Sequence, residues 1–248
     1  MPVKKGKIYI GTSGWSYKDW KEVYYPAKMK PTDWLSFYAG DFDIAEINTS
    51  FYRLPKQETV IKWVEKVPAH FMFCPKMSRY LTHVKKLREP EEPLQRFFGI
   101  FEPMKKQLGP VLIQLPAQIK FNHEVVQHLY NLLSKEYKDY SFAIEPRHPS
   151  WLEKESLQLM EEHHIAFVIS QSGVGWPYEE IVTDRNIYVR FHGPGKLYAS
   201  KYTDEQLQEY AAKFKTWLKQ GHDIWVFFNN DWFTYAIQNA KTLESLLK

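Results

Sequence analysis

Arg190 and His192 stand at the end of a short apolar run, Ile187 to Gly193 (IYVRFHG). β-Branched and aromatic residues that stop at a glycine predict a strand. Side chains alternate faces along a strand, so Tyr188, Arg190 and His192 share one face and Val189 and Phe191 take the other. A guanidinium on an apolar strand must be paired, wet or functional, because an unpaired buried charge is expensive. The pattern recurs along the chain. Glu46 and Asn48 share a face of DIAEINTSFYR, with Arg53 just beyond. Lys76 shares a face with Cys74 in HFMFCPKMS, and His83 follows in the loop. Gln114 lies on PVLIQLPA, Glu145 and Arg147 lie on one parity of YSFAIEPRH, and Asn229 and Asn230 close DIWVFFNND.

These residue types point to a small set of chemistries. Arg53, Lys76, Arg147 and Arg190 suit a phosphate or carboxylate, since the planar arginine fork takes an oxyanion at two points. Internal pairing with Glu46 and Glu145 accounts for the same residues, yet four cations against two carboxylates leave two positive charges for a ligand. Glu46 and Glu145 can divide acid and base roles if their surroundings split their pKa values; Glu145 equally suits the orientation of Arg147. His192 and His83 titrate near neutrality and can carry protons or serve structure. Asn48, Gln114, Asn229 and Asn230 suit hydroxyl or base-edge recognition, or bonds to loop backbone. Tyr17 and Tyr52, with Trp15, Trp20 and Phe51, can stack on a sugar or base, or pack the top of the fold. Glu46, Glu145 and His192 can supply three metal ligands, but the surrounding cations repel a metal and no H-x-H or HExxH spacing occurs. No metal and no cofactor are expected.

Positioning such residues requires many strand ends on one side of a sheet. Strand-like and helix-like patterns alternate through the chain, which favours a parallel sheet. The strands are IYIGTSGW, DIAEINTSFYR, HFMFCPKMS, PVLIQLPA, YSFAIEPRH, IAFVISQS, IYVRFHG and DIWVFFNND. Helical spacing is expected from Thr32, as cap, to Gly40; from Gln57 to Val67; and from Leu94 to Leu108 with a kink at Pro103. It continues through Val125, Val126, Leu129, Leu132 and Leu133; from Leu152 to His164; from the Thr203–Gln206 capping box to Gly221; and through Ile237, Leu243, Leu246 and Leu247. The segment GVGWPYEEIVTDRN after the sixth strand offers no helix. The expected fold is α/β: a single TIM-type (β/α)8 barrel over residues 1–248, with the sixth helix short or missing. No G-x-G-x-x-G loop argues for a doubly wound sheet. In a barrel the C-terminal strand ends and βα loops build the site, and nearly every unusual polar residue falls there.

The single cysteine, Cys74, excludes an internal disulfide. A net charge of +4 is mildly basic and fits an anionic partner. The first residues, MPVKKGKIYIGTSGW, hold no apolar run of signal-peptide or membrane-span length, so a cytoplasmic protein with no membrane partner is expected. Nothing in the sequence speaks to oligomeric state.

The segments GTSGWSYKDW, EINTSFYR, KMSRYLTH (Lys76 to His83), IQLP, Glu145-x-Arg147 with Trp151, YVRFHG and FFNN also resemble the YecE-like family, catalogued as domain of unknown function 72. The matches are in order and run from Ile8 to Ala240. The resemblance implies a TIM-barrel-type fold and brings no established activity. In broad outline that barrel is similar to sugar isomerases and metal-dependent abasic-site endonucleases, a fold analogy only.

The function expected is an enzyme for a phosphorylated or otherwise anionic small molecule, with Arg53, Lys76, Arg147 and Arg190 binding charge and Glu46, Glu145 and His192 moving protons. Nucleic-acid binding or processing is the alternative drawn from basicity and aromatics. A non-catalytic metabolite-binding protein is the third.

Overall fold

The computed structural model describes residues 4–172 and 178–248. The apolar runs form eight strands: β1 Ile8–Thr12, β2 Ile44–Ile47, β3 Met72–Pro75, β4 Val111–Gln114, β5 Phe142–Glu145, β6 Ile165–Gln171, β7 Asn186–Phe191 and β8 Asp223–Phe228. The helices are α1 Trp34–Tyr38, α2 Thr49–Tyr52, α3 Gln57–Glu65, α4 Glu91–Phe101, α5 His123–Glu136, α6 Lys154–Glu162, α7 Asp204–Lys219 and α8 Tyr235–Leu247. Every strand pair is parallel, in the order β3-β2-β1-β8-β7-β6-β5-β4. β3 and β4 are joined by isolated bridges, Phe73 to Leu108 and Lys76 to Leu112. There the Gly109 amide donates to the Phe73 carbonyl at 2.9 Å and the Met77 amide to the Leu112 carbonyl at 2.8 Å. The sheet thus comes round into a nearly closed TIM-type α/β barrel.

Strand alternation separates two cores. Ile44, Cys74, Leu112, Ala143, Ala166, Val168, Tyr188, Trp225 and Phe227 fill the barrel interior. Their neighbours of opposite parity, such as Ala45, Phe73, Ile113, Ile144, Phe167, Val189 and Val226, pack outward under the helices. The inward set continues upward into Glu46, Lys76, Gln114, Glu145 and Arg190, so the parity that fills the barrel also delivers polar groups to its mouth.

One tyrosine completes a ladder. β1 and β2 pair at a single register position, Thr12 with Ala45. The Tyr38 hydroxyl lies between them, accepting from the Thr12 amide at 2.9 Å and donating to the Ile44 carbonyl at 2.9 Å. It satisfies backbone groups that direct pairing would have used.

Local signals explain the starts of α5 and α7 and the end of α7. Asn122 caps α5 by accepting from the Val125 amide at 3.0 Å. Thr203 and Gln206 form the expected capping box at α7, and Gly221 follows that helix with φ +92°. Four details differ from expectation. Thr32 makes no cap and lies within a 3-10 turn, Pro31–Asp33. The TSFY of the second strand segment winds instead into the single turn α2. The helix expected to reach Leu108 stops at Phe101 and continues as 3-10 turns over Glu102–Gln107, where Pro103 cannot donate to the ladder. The α6 segment is split, with a 3-10 turn over Pro149–Leu152 before the helix proper. The segment GVGWPYEEIVTDRN is where the sixth helix is expected to be short or missing. Its residues 173–177 lie outside the described residues, and residues 178–185 contain no helix. Among the described residues no helix is long and apolar enough to cross a membrane.

Gly109 marks a tight point of the barrel floor. A Cβ there would lie 2.6 Å from the Cys74 sulfur and 2.7 Å from the Trp225 ring. Gly109→Ala is predicted to destabilise the fold by about 1–3 kcal/mol through overpacking. Urea unfolding with an unchanged midpoint would show that this floor is loosely packed.

Candidate functional site

Arg190 enters the barrel mouth from β7 and is 2% exposed, so its donors must find partners inside. Its Nε and Nη2 donate to the two oxygens of Glu46 at 2.9 and 2.7 Å, a two-point fork. Its Nη1 donates to Glu145 at 2.6 Å. The Tyr188 hydroxyl donates to Glu46 at 2.8 Å. The other Glu145 oxygen accepts from Arg147, through Nη2 at 3.1 Å and Nε at 3.3 Å. Glu46 comes from β2, Glu145 from β5 and Arg190 from β7, so the network spans the lumen. Removing one partner from a buried pair of this kind typically costs about 3–5 kcal/mol, because the other charge is stranded.

Lys76 joins from the end of β3. Its Nζ donates to the Gln114 carbonyl oxygen at 2.6 Å and sits 4.2 Å from the centre of the Phe51 ring. The Gln114 amide in turn donates to the Leu115 carbonyl at 3.0 Å. Burial and the neighbouring Arg190 pull the Lys76 pKa down to about 8. His192 is wholly buried just past β7, and its Nδ1 meets the Asn229 side-chain amide at 3.0 Å. With that amide donating, the ring proton sits on Nε2. Burial and Arg190 lower its pKa to about 3, so His192 is neutral at physiological pH. Burial alone would raise Glu145; Arg190 and Arg147 outweigh it and hold its carboxyl well below the usual range.

The structure therefore gathers Glu46, Lys76, Gln114, Glu145, Arg147, Arg190, His192 and Asn229. Arg53 does not join them. It is exposed and lines a separate outer cleft of about 570 Å³ with Arg79, Arg96, Tyr52 and Tyr80. The expected convergence of four cations is corrected to three, because α2 turns the chain outward before Arg53. Tyr52 is 81% exposed and borders both this cleft and a second one. His83 lies beside the site on a π-helical turn, Tyr80–Val84, with its ring 4.9 Å from Phe51. Burial, then Lys76 and Arg79, lower its pKa. Asn230 is a tether: its amide donates to the Ser200 carbonyl at 3.0 Å and to Asn239 at 2.9 Å. The Asn48 amide donates to the Ser13 carbonyl at 3.0 Å, and the Tyr17 hydroxyl donates to the same oxygen at 2.6 Å.

Asp231 was not anticipated. It follows β8, beside the electrostatic reach of Arg190 and Glu46. Burial pushes its pKa up to about 7 against the pull of its own backbone amide and Arg190. Its Oδ1 is buried and has no hydrogen-bond partner among the described residues. The signal was its place after FFNN at a strand end. Among the described residues no group of three or more His, Cys, Asp or Glu is arranged to hold a metal ion; Glu46 and Glu145 face Arg190 instead.

Residues 9–248 match the family described as "Protein of unknown function DUF72", and the chain belongs to that family. It is 31% identical over 147 residues to the UPF0759 protein YecE of Escherichia coli K12, covering 59% of this chain and 51% of that protein. The chain thus spans about half the length of that relative. It is 27% identical to the UPF0759 protein YunF of Bacillus subtilis 168, covering 97% of this chain and 94% of the relative. The crystal structure of a DUF72 family protein from Thermotoga maritima superposes with TM-score 0.84 at 30% identity, covering 97% of this chain and 99% of the other. A DUF72 family protein from Enterococcus faecalis V583 shares the fold with TM-score 0.82 at 23% identity, covering 97% and 95%.

The buried imidazole carries a stability consequence. An unfolded chain takes a proton at His192 near pH 6.5, whereas the folded site accepts it only near 3. At this group the unfolded state binds the proton first across that window, so the His192 contribution to stability falls as the pH drops from about 6.5, by up to about 1.4 kcal/mol per unit, while the raised carboxyls of Asp231 and Glu244 act in the opposite sense. His192→Gln is predicted to remove this contribution, so its stability relative to the parent rises as the pH drops from about 6.5 to 4.5, above the ordinary Glu range. Denaturant unfolding at several pH values reads this, and identical slopes in both proteins would contradict a buried neutral ring.

Proposed function

We propose that this member of the DUF72 family is an enzyme acting on a phosphorylated or otherwise anionic small molecule at the barrel mouth. One observation carries the reading. Arg190, Arg147 and Lys76 set three positive charges against the two carboxylates of Glu46 and Glu145, and the excess lies at the accessible edge. Arg190 is taken up by both carboxylates and Arg147 by Glu145, while the Arg147 side chain is still 18% exposed and Lys76 9%. An incoming anion meets Lys76 and Arg147, with Arg190 holding the frame behind them. Such preorganised cations cost little reorganisation when charge arrives.

Proton transfer falls to Asp231 rather than Glu145. A carboxyl titrating near 7 can take and return a proton at working pH, while Glu145 is held ionised by two arginines. Neutral His192, bonded to Asn229, is not suited to proton exchange at working pH. Glu46 orients Arg190. A non-catalytic metabolite binder would use the same Lys76–Arg147 ligand set without a proton carrier. The nucleic-acid reading draws instead on the outer cleft, where Arg53, Arg79 and Arg96 accompany exposed Tyr52 and Tyr80.

Thermal-shift and calorimetric titrations with inorganic phosphate, sugar phosphates, carboxylates and short single-stranded DNA test these readings. Small anions are expected to stabilise the protein, and Lys76→Met or Arg147→Met to remove most of that effect. Affinity is expected to fall as the pH rises past about 8, where Lys76 loses its charge. Absence of any anion effect sinks the proposal, and a preference for DNA with steep salt dependence transfers it to the outer cleft. Carboxyl-detected NMR is expected to place the Asp231 midpoint near 7; a midpoint in the ordinary Asp range would remove its role as proton carrier.

A further inference from the structure

A second cleft, of about 510 Å³, opens beside the mouth between the β1 loop, the end of β2 and α3. Its size is that of a small-molecule site. Trp15, Tyr17 and Trp63 form apolar walls, and the Trp15 and Trp63 rings meet edge to face at 5.5 Å. Ser13 and Asn48 both line this cleft, and each carries a buried polar atom with no hydrogen-bond partner among the described residues: Ser13 Oγ and Asn48 Oδ1. Ser13 is 1% exposed. Buried polar atoms are nearly always paired, and each exception calls for an explanation.

The surrounding bonds fix what these atoms offer. The Asn48 amide is committed to the Ser13 carbonyl at 3.0 Å, which orients its carbonyl oxygen as an acceptor. The Ser13 hydroxyl beside it can donate or accept. Glu46 also borders this cleft, but its carboxylate is engaged by Arg190 and Tyr188. The inner polar groups left for a ligand are therefore neutral, aromatic faces form the walls, and Lys62 and Lys66 line the cleft on its α3 side.

We infer that this cleft binds an uncharged ring carrying a hydroxyl or amino donor next to an acceptor, the chemistry shared by sugar rings and nucleobases. The ring lies against Trp15 and Trp63, donates to Asn48 Oδ1 and exchanges a hydrogen bond with Ser13 Oγ. This inference is independent of the anion site, since neither Lys76 nor Arg147 lines this cleft; its own lysines are Lys62 on α3 and Lys66 at the end of that helix, and Lys66 donates to the Thr32 carbonyl.

The test titrates the full chain with uncharged monosaccharides and methyl glycosides in one arm and nucleosides in the other. Tryptophan fluorescence and calorimetry are the readouts. Saturable binding in one arm is expected, with a change in tryptophan emission, and the responding arm identifies the source of the ring. Ser13→Ala is expected to weaken binding by about tenfold, the loss of one hydrogen bond. It should leave the ligand-free melting temperature unchanged or higher, because it removes a buried group that has no partner. Lys76→Met should bind the ring as the parent does, which separates this result from the fate of the anion site. No saturable binding in either arm overturns the inference. So does a Ser13→Ala protein that melts lower, or one that binds with unaltered affinity, since either outcome makes the hydroxyl structural.

Discussion

A guanidinium that has left water must be enclosed by acceptors, and this barrel is built to enclose one. Arg190 pairs with Glu46 through a fork and with Glu145 through a third bond, all within 2.9 Å. The three residues come from β7, β2 and β5, which are not neighbours in the sheet. Their pairing is satisfied only when the barrel has closed to its correct diameter and each strand has its correct parity. Closure of the fold and solvation of the charge are therefore one condition. Burial of three charges is weak evidence of net stability, since desolvation offsets much of the attraction. Its effect is to make alternative registers costly, because any one-residue slip would turn a charge into the apolar layer under the helices.

The same enclosed charges set the character of their neighbours. Lys76 titrates near 8 and His192 near 3, in each case through burial with Arg190 as the next contributor. Asp231 escapes that control in part: burial raises it to about 7 even though Arg190 pulls the other way. One fixed guanidinium thus sits among a lysine, a histidine and an aspartate whose protonation differs from their behaviour in water. Separated titration of neighbouring groups is a recurring feature of sites that move protons, and it underlies the assignment of roles proposed for the mouth.

Much of the architecture was legible because it rests on period two. Alternation in IYVRFHG put Tyr188 and Arg190 on one face, and in the structure both point inward to Glu46. The Thr203–Gln206 box and Gly221 bounded α7 because capping is local chemistry. Whatever depended on a change of period was missed. TSFY reads as strand by composition, yet it coils as α2 and carries Arg53 away from the cluster. Asp231 was noticed only as the end of a strand, because its altered titration arises from burial by distant elements. Equally, the role of Tyr38 as a splice between β1 and β2 has no sequence signature, since a tyrosine on a short apolar helix reads as core.

The seam between β3 and β4 is held by the amides of Gly109 and Met77 and by two isolated bridges. Lys76 belongs to β3's end and Gln114 to β4, so their 2.6 Å bond is a side-chain clasp across a sparse join in the wall. Local breathing of the barrel would begin where its ladder is sparsest. The ammonium that faces incoming charge is therefore also a fastening of the wall, joining the end of β3 to β4.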